Sequence, residues 1–151
     1  LPLPMQAKLL RVLETGEIQK IAHKGQLHSD FRLIGATNRN LAEMVRQGQF
    51  REDLYHRLSV FELDIPPLRD RVSDIPLLVR HFVTQSVGDN RQKDIRIDDA
   101  LYDAFAQYPW RGNVRELKNV LVYALYSLGD DQSVLTVQHL PPRFMRELEA
   151  A

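Results

Sequence analysis

Apolar and polar positions alternate along this chain with two different periods, and the change of period divides it. From the first residues, Met5, Leu9, Val12 and Leu13 recur at i, i+4, i+7 and i+8, and Gly16 follows. That spacing predicts a helix over 5–15 stopped by the glycine. Two short runs on either side of Lys24-Gly25 predict a hairpin or projecting loop over 17–30. In "FRLIGAT", 31–37, the middle is apolar on both alternating faces, the pattern of a strand covered on both sides in a parallel sheet. Asn40 is placed to cap a short helix, 41–47, ended by Gly48, and Phe50, Leu54 and Leu58 repeat at i, i+4 and i+8. "VFELDI", 60–65, sets Phe61, Leu63 and Ile65 on one face and predicts a second strand.

Past the Pro-led break "PPLRDR" the period becomes helical throughout. Ile75, Leu78, Val79, Phe82 and Val83 form one stripe behind a Ser73/Asp74 cap. Leu101, Ala104, Phe105 and Tyr108 form a second behind Asp98. Val114, Leu117, Leu121, Leu125 and Leu128 form a third, capped by Asn113 and ended by Gly129. The fold class read from this pattern is an α/β piece followed by a small all-helical domain. Two strands do not sustain a parallel sheet, so the expected partner strands belong to a longer protein.

Composition narrows this little further. Lys+Arg and Asp+Glu both number 20, which gives no bulk attraction to nucleic acid or anionic membrane. Cysteine is absent, which excludes disulfides and thiolate metal sites. The five histidines show no i, i+4 pairing and no carboxylate framework, so no metal site is expected. Trp110, the single tryptophan, reads as packing beside a turn.

Three places can carry chemistry. Asn38 ends the expected buried strand, where ligands of open α/β sheets sit, although asparagine also favours loop starts for its own sake. Arg115 opens the third helix of the second half, where a cation opposes the helix dipole by about 0.3–1 kcal/mol. An anion would compensate it, and so would a nearby acid. Arg51 and Arg57, in "QFREDLYHRL", lie six residues apart and so point about 120° from each other on a helix. Local pairing of Asp53 with Arg57, and of Glu52 with His56, accounts for Arg57 and leaves Arg51 without a partner.

Taken in order, "LPLPMQAKLLRVLETGEIQKI", "FRLIGATNRNLAEMVRQGQFREDLYHRLSVFELDIPPLRDRVSDIPLL" and "YPWRGNVRELKNVL" resemble the central AAA+ ATPase domain of bacterial sigma-54-dependent transcriptional activators. The likeness covers almost the whole chain. It implies a truncated P-loop-type α/β piece over 1–67, a helical lid over 68–145 and a tail or linker over 146–151. It also implies that Thr37 and Asn38 form sensor I at the γ-phosphate. Arg51 and Arg57 would be arginine fingers offered to the ATP site of a neighbouring subunit, and Arg115 the sensor II residue that reads the nucleotide of its own subunit. The segment 17–30 resembles the insertion before sensor I that faces the centre of a ring, with "IAHKGQ" where Gly-Gly is common in the family.

The implied cofactor is ATP with Mg2+. The implied partners are further copies in a homo-oligomeric ring, a hexamer, then sigma-54 RNA polymerase, and enhancer DNA through a separate domain, in the cytoplasm and with no membrane. No G-x-x-x-x-G-K-[ST] occurs in these 151 residues, and the magnesium-binding acids are expected upstream of Leu1. The chain alone is therefore expected not to hydrolyse ATP. The rival readings are another AAA+ remodelling machine, an inactive lid and oligomerisation piece, and a free-standing helix-turn-helix over 98–128. The last is disfavoured by neutral charge and by how few basic residues the third stripe carries.

Overall fold

The computed structural model describes residues 1–19, 26–87, 95–129 and 132–149, which form two compact units, Leu1–Asp64 and Ile65–Ala151. In the first unit, helix α1 (Leu3–Thr15) starts at Pro4 in its first turn and ends where Gly16 takes the left-handed conformation, φ 70°. A side chain is excluded there on two counts: the positive φ, and a Cβ that would stand 2.9 Å from the His28 ring. The strands β1 (Glu17–Gln19) and β2 (Gln26–His28) then pair antiparallel, Glu17 opposite His28. The expected hairpin is present, and its tip at Lys24-Gly25 lies outside the described residues.

Asn40 caps α2 (Leu41–Arg46) by accepting the Glu43 N–H at 3.0 Å. Helix α3 (Glu52–Leu58) follows and packs on α1 and α2, with Leu54 fully buried. The two expected strands do not form. Residues 31–37 and 60–65 are unpaired, and Ile34, Phe61 and Leu63 are 85%, 92% and 93% exposed. Apolar patterning makes a strand only when another strand completes its ladder, and none is present among the described residues.

The second unit holds a continuous apolar core. Its elements are α4 (Ile75–Val87), β3 (Arg96–Ile97), α5 (Asp99–Gln107), α6 (Asn113–Ser127), β4 (Val134–Leu135) and α7 (Pro142–Glu149). The three expected stripes face one another: Val79, Leu101, Phe105, Leu117 and Leu121 are all at or near zero exposure. Asp98 caps α5 as expected, through the Ala100 N–H. Two short 3-10 turns, Leu68–Asp70 and Val72–Asp74, lead directly into α4, so the turn at 72–74 takes the place of the expected Ser73/Asp74 cap. β3 and β4 pair in parallel, Arg96 opposite Val134, and tie the entrance of α5 to the segment after α6. Residues 146–149, expected as a tail, continue α7, whose Phe144 stacks on Tyr108 with ring centroids 4.1 Å apart.

Candidate functional site

The arginine segment is built around one buried polar residue. Gln6 lies on the same face of α1 as Leu9 and Leu13, and its exposure is zero. Its amide nitrogen donates to the carbonyls of Leu1 (2.9 Å) and Gln49 (3.0 Å), and its oxygen accepts the Arg51 N–H (2.9 Å). Burial of an amide is tolerated because both N–H groups and the carbonyl are thereby used. Arg51, the residue at the N-terminal cap of α3, is thus held through its backbone.

The Arg51 side chain folds back on Asp53 with two parallel bonds, Nε at 3.0 Å and Nη2 at 2.6 Å. This is the partner the spacing did not supply. The bonds from Arg51 hold the Asp53 carboxyl below its usual range, and Asp53 in turn raises the guanidinium. Asp53 also accepts the Leu54 N–H at 2.7 Å in the first turn of α3, where the dipole favours an acid.

Arg57, expected to pair with Asp53, turns instead to α1. Its Nη2 donates to the Leu13 carbonyl at 3.2 Å. That carbonyl belongs to the last turn of α1, whose final C=O groups lack helical partners and carry negative partial charge. One donor is engaged and the exposed guanidinium keeps the others for a further acceptor. Glu52 and His56 do approach one another, at 3.8 Å.

Thr37 and Asn38 are exposed in the unpaired segment of the first unit, and the Thr37 hydroxyl accepts the Arg39 N–H at 3.1 Å. The fold ties the Arg51 backbone and the Arg57 side chain, at the two ends of α3, to α1, and among the described residues neither arginine bonds Thr37 or Asn38.

Arg115 belongs to the second unit, in the first turn of α6. The turn before it is the most constrained backbone of that unit. Trp110 and Asn113 have φ of 46° and 53°, a region that bulky side chains seldom adopt. Trp110 is held by full burial against Phe105 and Phe144, and its indole N–H donates to the Phe105 carbonyl at 2.7 Å. Asn113 does not cap α6. Its side-chain oxygen accepts the Leu68 N–H at 2.8 Å, while Glu116 reaches back to the Gly112 N–H at 2.8 Å. Arg115 projects exposed from this fixed start, with no hydrogen bond or ion pair among the described residues. No group of three or more His, Asp or Glu that could hold a metal occurs among them either.

Sequence patterning missed Gln6, the bond of Asn113 to Leu68 and the contact of Tyr108 with Glu116 and Glu147. A signal existed for Gln6, a polar side chain in register with Leu9 and Leu13 on a face that should be apolar.

Comparison with known proteins decides the family. Residues 1–64 match the Sigma-54 interaction domain, and residues 69–151, more than half the chain, match the AAA+ ATPase lid domain. The chain belongs to the sigma-54-interacting AAA+ ATPases. This AAA+ chain is 43% identical over 146 residues to nitrogen fixation protein AnfA of Azotobacter vinelandii, covering 97% of this chain and 27% of AnfA. It is 46% identical over 128 residues to the DNA-binding transcriptional regulator NtrC of Rhizobium meliloti, covering 83% of this chain and 26% of NtrC. The AAA+ chain thus spans about a quarter of the length of these curated relatives. Among solved structures, NtrX from Brucella abortus in complex with ADP matches with a TM-score of 0.83 at 30% identity, over 99% of this chain and 37% of NtrX. NtrX in complex with ATP matches equally well, at 31% identity. The fold is that of an AAA+ domain with its helical lid, as the sequence resemblance implied.

Proposed function

We propose that this chain is the C-terminal part of the ATP-hydrolysing domain of a sigma-54-dependent transcriptional activator, in which residues 1–67 complete the α/β body and 68–145 form the lid. The parent protein assembles as a homo-oligomeric ring in the cytoplasm, remodels sigma-54 RNA polymerase and reaches enhancer DNA through a separate domain. ATP with Mg2+ supplies the phosphoryl group whose transfer to water drives the ring. Its phosphate loop and magnesium-binding acids belong to sequence outside these 151 residues, and the isolated chain turns over no ATP.

The residues of this chain divide the remaining work. Arg57, with Arg51 behind it, presents positive charge to the phosphates held by the neighbouring subunit. Thr37 and Asn38, polar and uncharged, orient water beside the γ-phosphate of their own subunit. Arg115 neutralises phosphate charge from the lid. The observation that supports this most is the state of Arg57. It is an exposed guanidinium tied by a single bond to the end of α1, inside the stretch that matches the Sigma-54 interaction domain. Its fit to a phosphate is chemical, because the planar fork of donors matches phosphate oxygens. Arg51 is partly committed to Asp53, which makes Arg57 the more available of the two.

In the full-length protein, Arg57→Ala is expected to lower kcat by about 10³–10⁵, the range for an arginine supplied in trans. ADP binding, measured by calorimetry, should stay unchanged. Turnover at the wild-type rate would end this reading.

A further inference from the structure

We infer that Gln6 is the positioning residue of the arginine segment, a role that rests on the reading of Arg51 and Arg57 as groups offered to a neighbouring subunit. Packing alone does not call for glutamine here. The site faces the interior in line with Leu9 and Leu13, and an apolar side chain would bury there without needing partners. What glutamine adds is direction. Its amide bonds three backbone groups that no regular ladder serves: the Leu1 carbonyl before α1, the Gln49 carbonyl and the Arg51 N–H.

The last two flank Phe50 at the entrance to α3, so one amide sets both the position and the angle at which the chain enters that helix. Arg51 makes no side-chain capping bond, and the amide of Gln6 takes the Arg51 N–H in place of a regular partner. At the other end of α3, the bond from Arg57 to Leu13 closes the clamp on the same helix. Gln6 touches no phosphate in this scheme. It acts through Arg51 and Arg57, where a small misplacement of a charge is enough to slow a reaction many-fold.

The test uses the full-length protein. Gln6→Met, close in length but without the amide, should lower kcat at least tenfold while leaving ADP affinity unchanged. The defect should also lie in trans. When Gln6→Met subunits are mixed with subunits disabled for nucleotide binding but carrying Gln6, which turn over nothing alone, turnover should rise back above that of Gln6→Met alone. The intact sites of the first then receive arginines from the second. Wild-type turnover by Gln6→Met overturns the inference, and so does lost turnover that mixing fails to restore, since that places the defect within the subunit. If Gln6→Met does not fold, Gln6→Glu takes its place with the same expected and overturning results. It keeps the length and the acceptor for Arg51 but cannot donate to either carbonyl. Arg57→Ala run alongside separates the two readings. Its inactivity beside a fully active Gln6 variant removes only the role of Gln6, whereas its full activity removes both.

Discussion

At the scale of single residues, the side chains that shape this molecule are polar ones bonded to backbone. Asn113 combines two demands that few residues meet together: a left-handed φ and an acceptor for the Leu68 N–H. Asparagine tolerates that φ better than other non-glycine residues. Asn113→Ala should therefore lose about 1–3 kcal/mol, the range for a donor left unpaired, with backbone strain added. Asn113→Asp retains the acceptor and should stay within about 1 kcal/mol of the parent. Thermal denaturation of the two variants checks the order. The sequence marked the amide at 113 as a cap, because asparagine before a helical stripe is a strong signal, and the structure gives it another task. Its actual partner, 45 residues away in sequence, left no local trace. The pairing of Arg51 with Asp53 was hidden for a similar reason, since helical spacing rules do not apply to a residue that stands at the cap.

At the scale of elements, α7 is fastened to the lid by stacking and by one polar contact. The Tyr108 hydroxyl donates to Glu147 at 2.6 Å and lies 3.1 Å from Glu116. The phenol bond, with Arg143 second, holds the Glu147 carboxyl below its ordinary value. Burial first, and then the two carboxylates, push Tyr108 well above the usual tyrosine range. A carboxylate lowered in the folded state stabilises above its unfolded pKa and ceases to do so as pH falls through the folded value. The attachment of α7 should thus be complete at neutral pH and weaken below about pH 4. A phenol raised in the folded state keeps its contribution up to pH ~10 and loses it only beyond. Tyr108→Phe should return Glu147 toward its ordinary titration near pH ~4.3, followed by carboxyl NMR.

Which elements the sequence disclosed follows from where their partners lie. The helices α4, α5 and α6 bury their stripes against near neighbours in the same unit, so periodicity was a sufficient guide, whereas the stripe of α1 stays half-buried or exposed around the buried Gln6. The segments 31–37 and 60–65 carry strand patterning with equal clarity, yet a strand is completed by hydrogen bonds to another strand. The same limit applies to the candidate site. Spacing alone favoured ordinary surface roles for Asn38 and Arg57, and it was the ordered set of motifs across the chain that pointed to nucleotide chemistry.

At the scale of the whole molecule, the two units differ in how complete they are. The second has a closed core, whereas the first leaves Ile34, Phe61 and Leu63 almost fully exposed. Under the proposed function those side chains meet the rest of the α/β sheet in the parent protein. Substitution at these positions should therefore have opposite signs in the two settings. Phe61→Glu combined with Leu63→Glu should raise the monodisperse fraction of the isolated chain in light scattering, because exposed apolar side chains in an unpaired segment invite association. In the full-length protein the same pair should lower the melting temperature, since two charges would then be buried without partners. Equal signs in both settings would contradict the assignment.

The buried indole at the start of α6 also provides a native optical label. Trp110 is the chain's single tryptophan and lies packed between Phe105, Tyr108 and Phe144. Its emission therefore reports melting of the lid and is blind to the segment that carries Arg51 and Arg57. Far-ultraviolet circular dichroism records helices from both halves. A gap between the two melting curves would show, without any added dye, that the halves come apart separately.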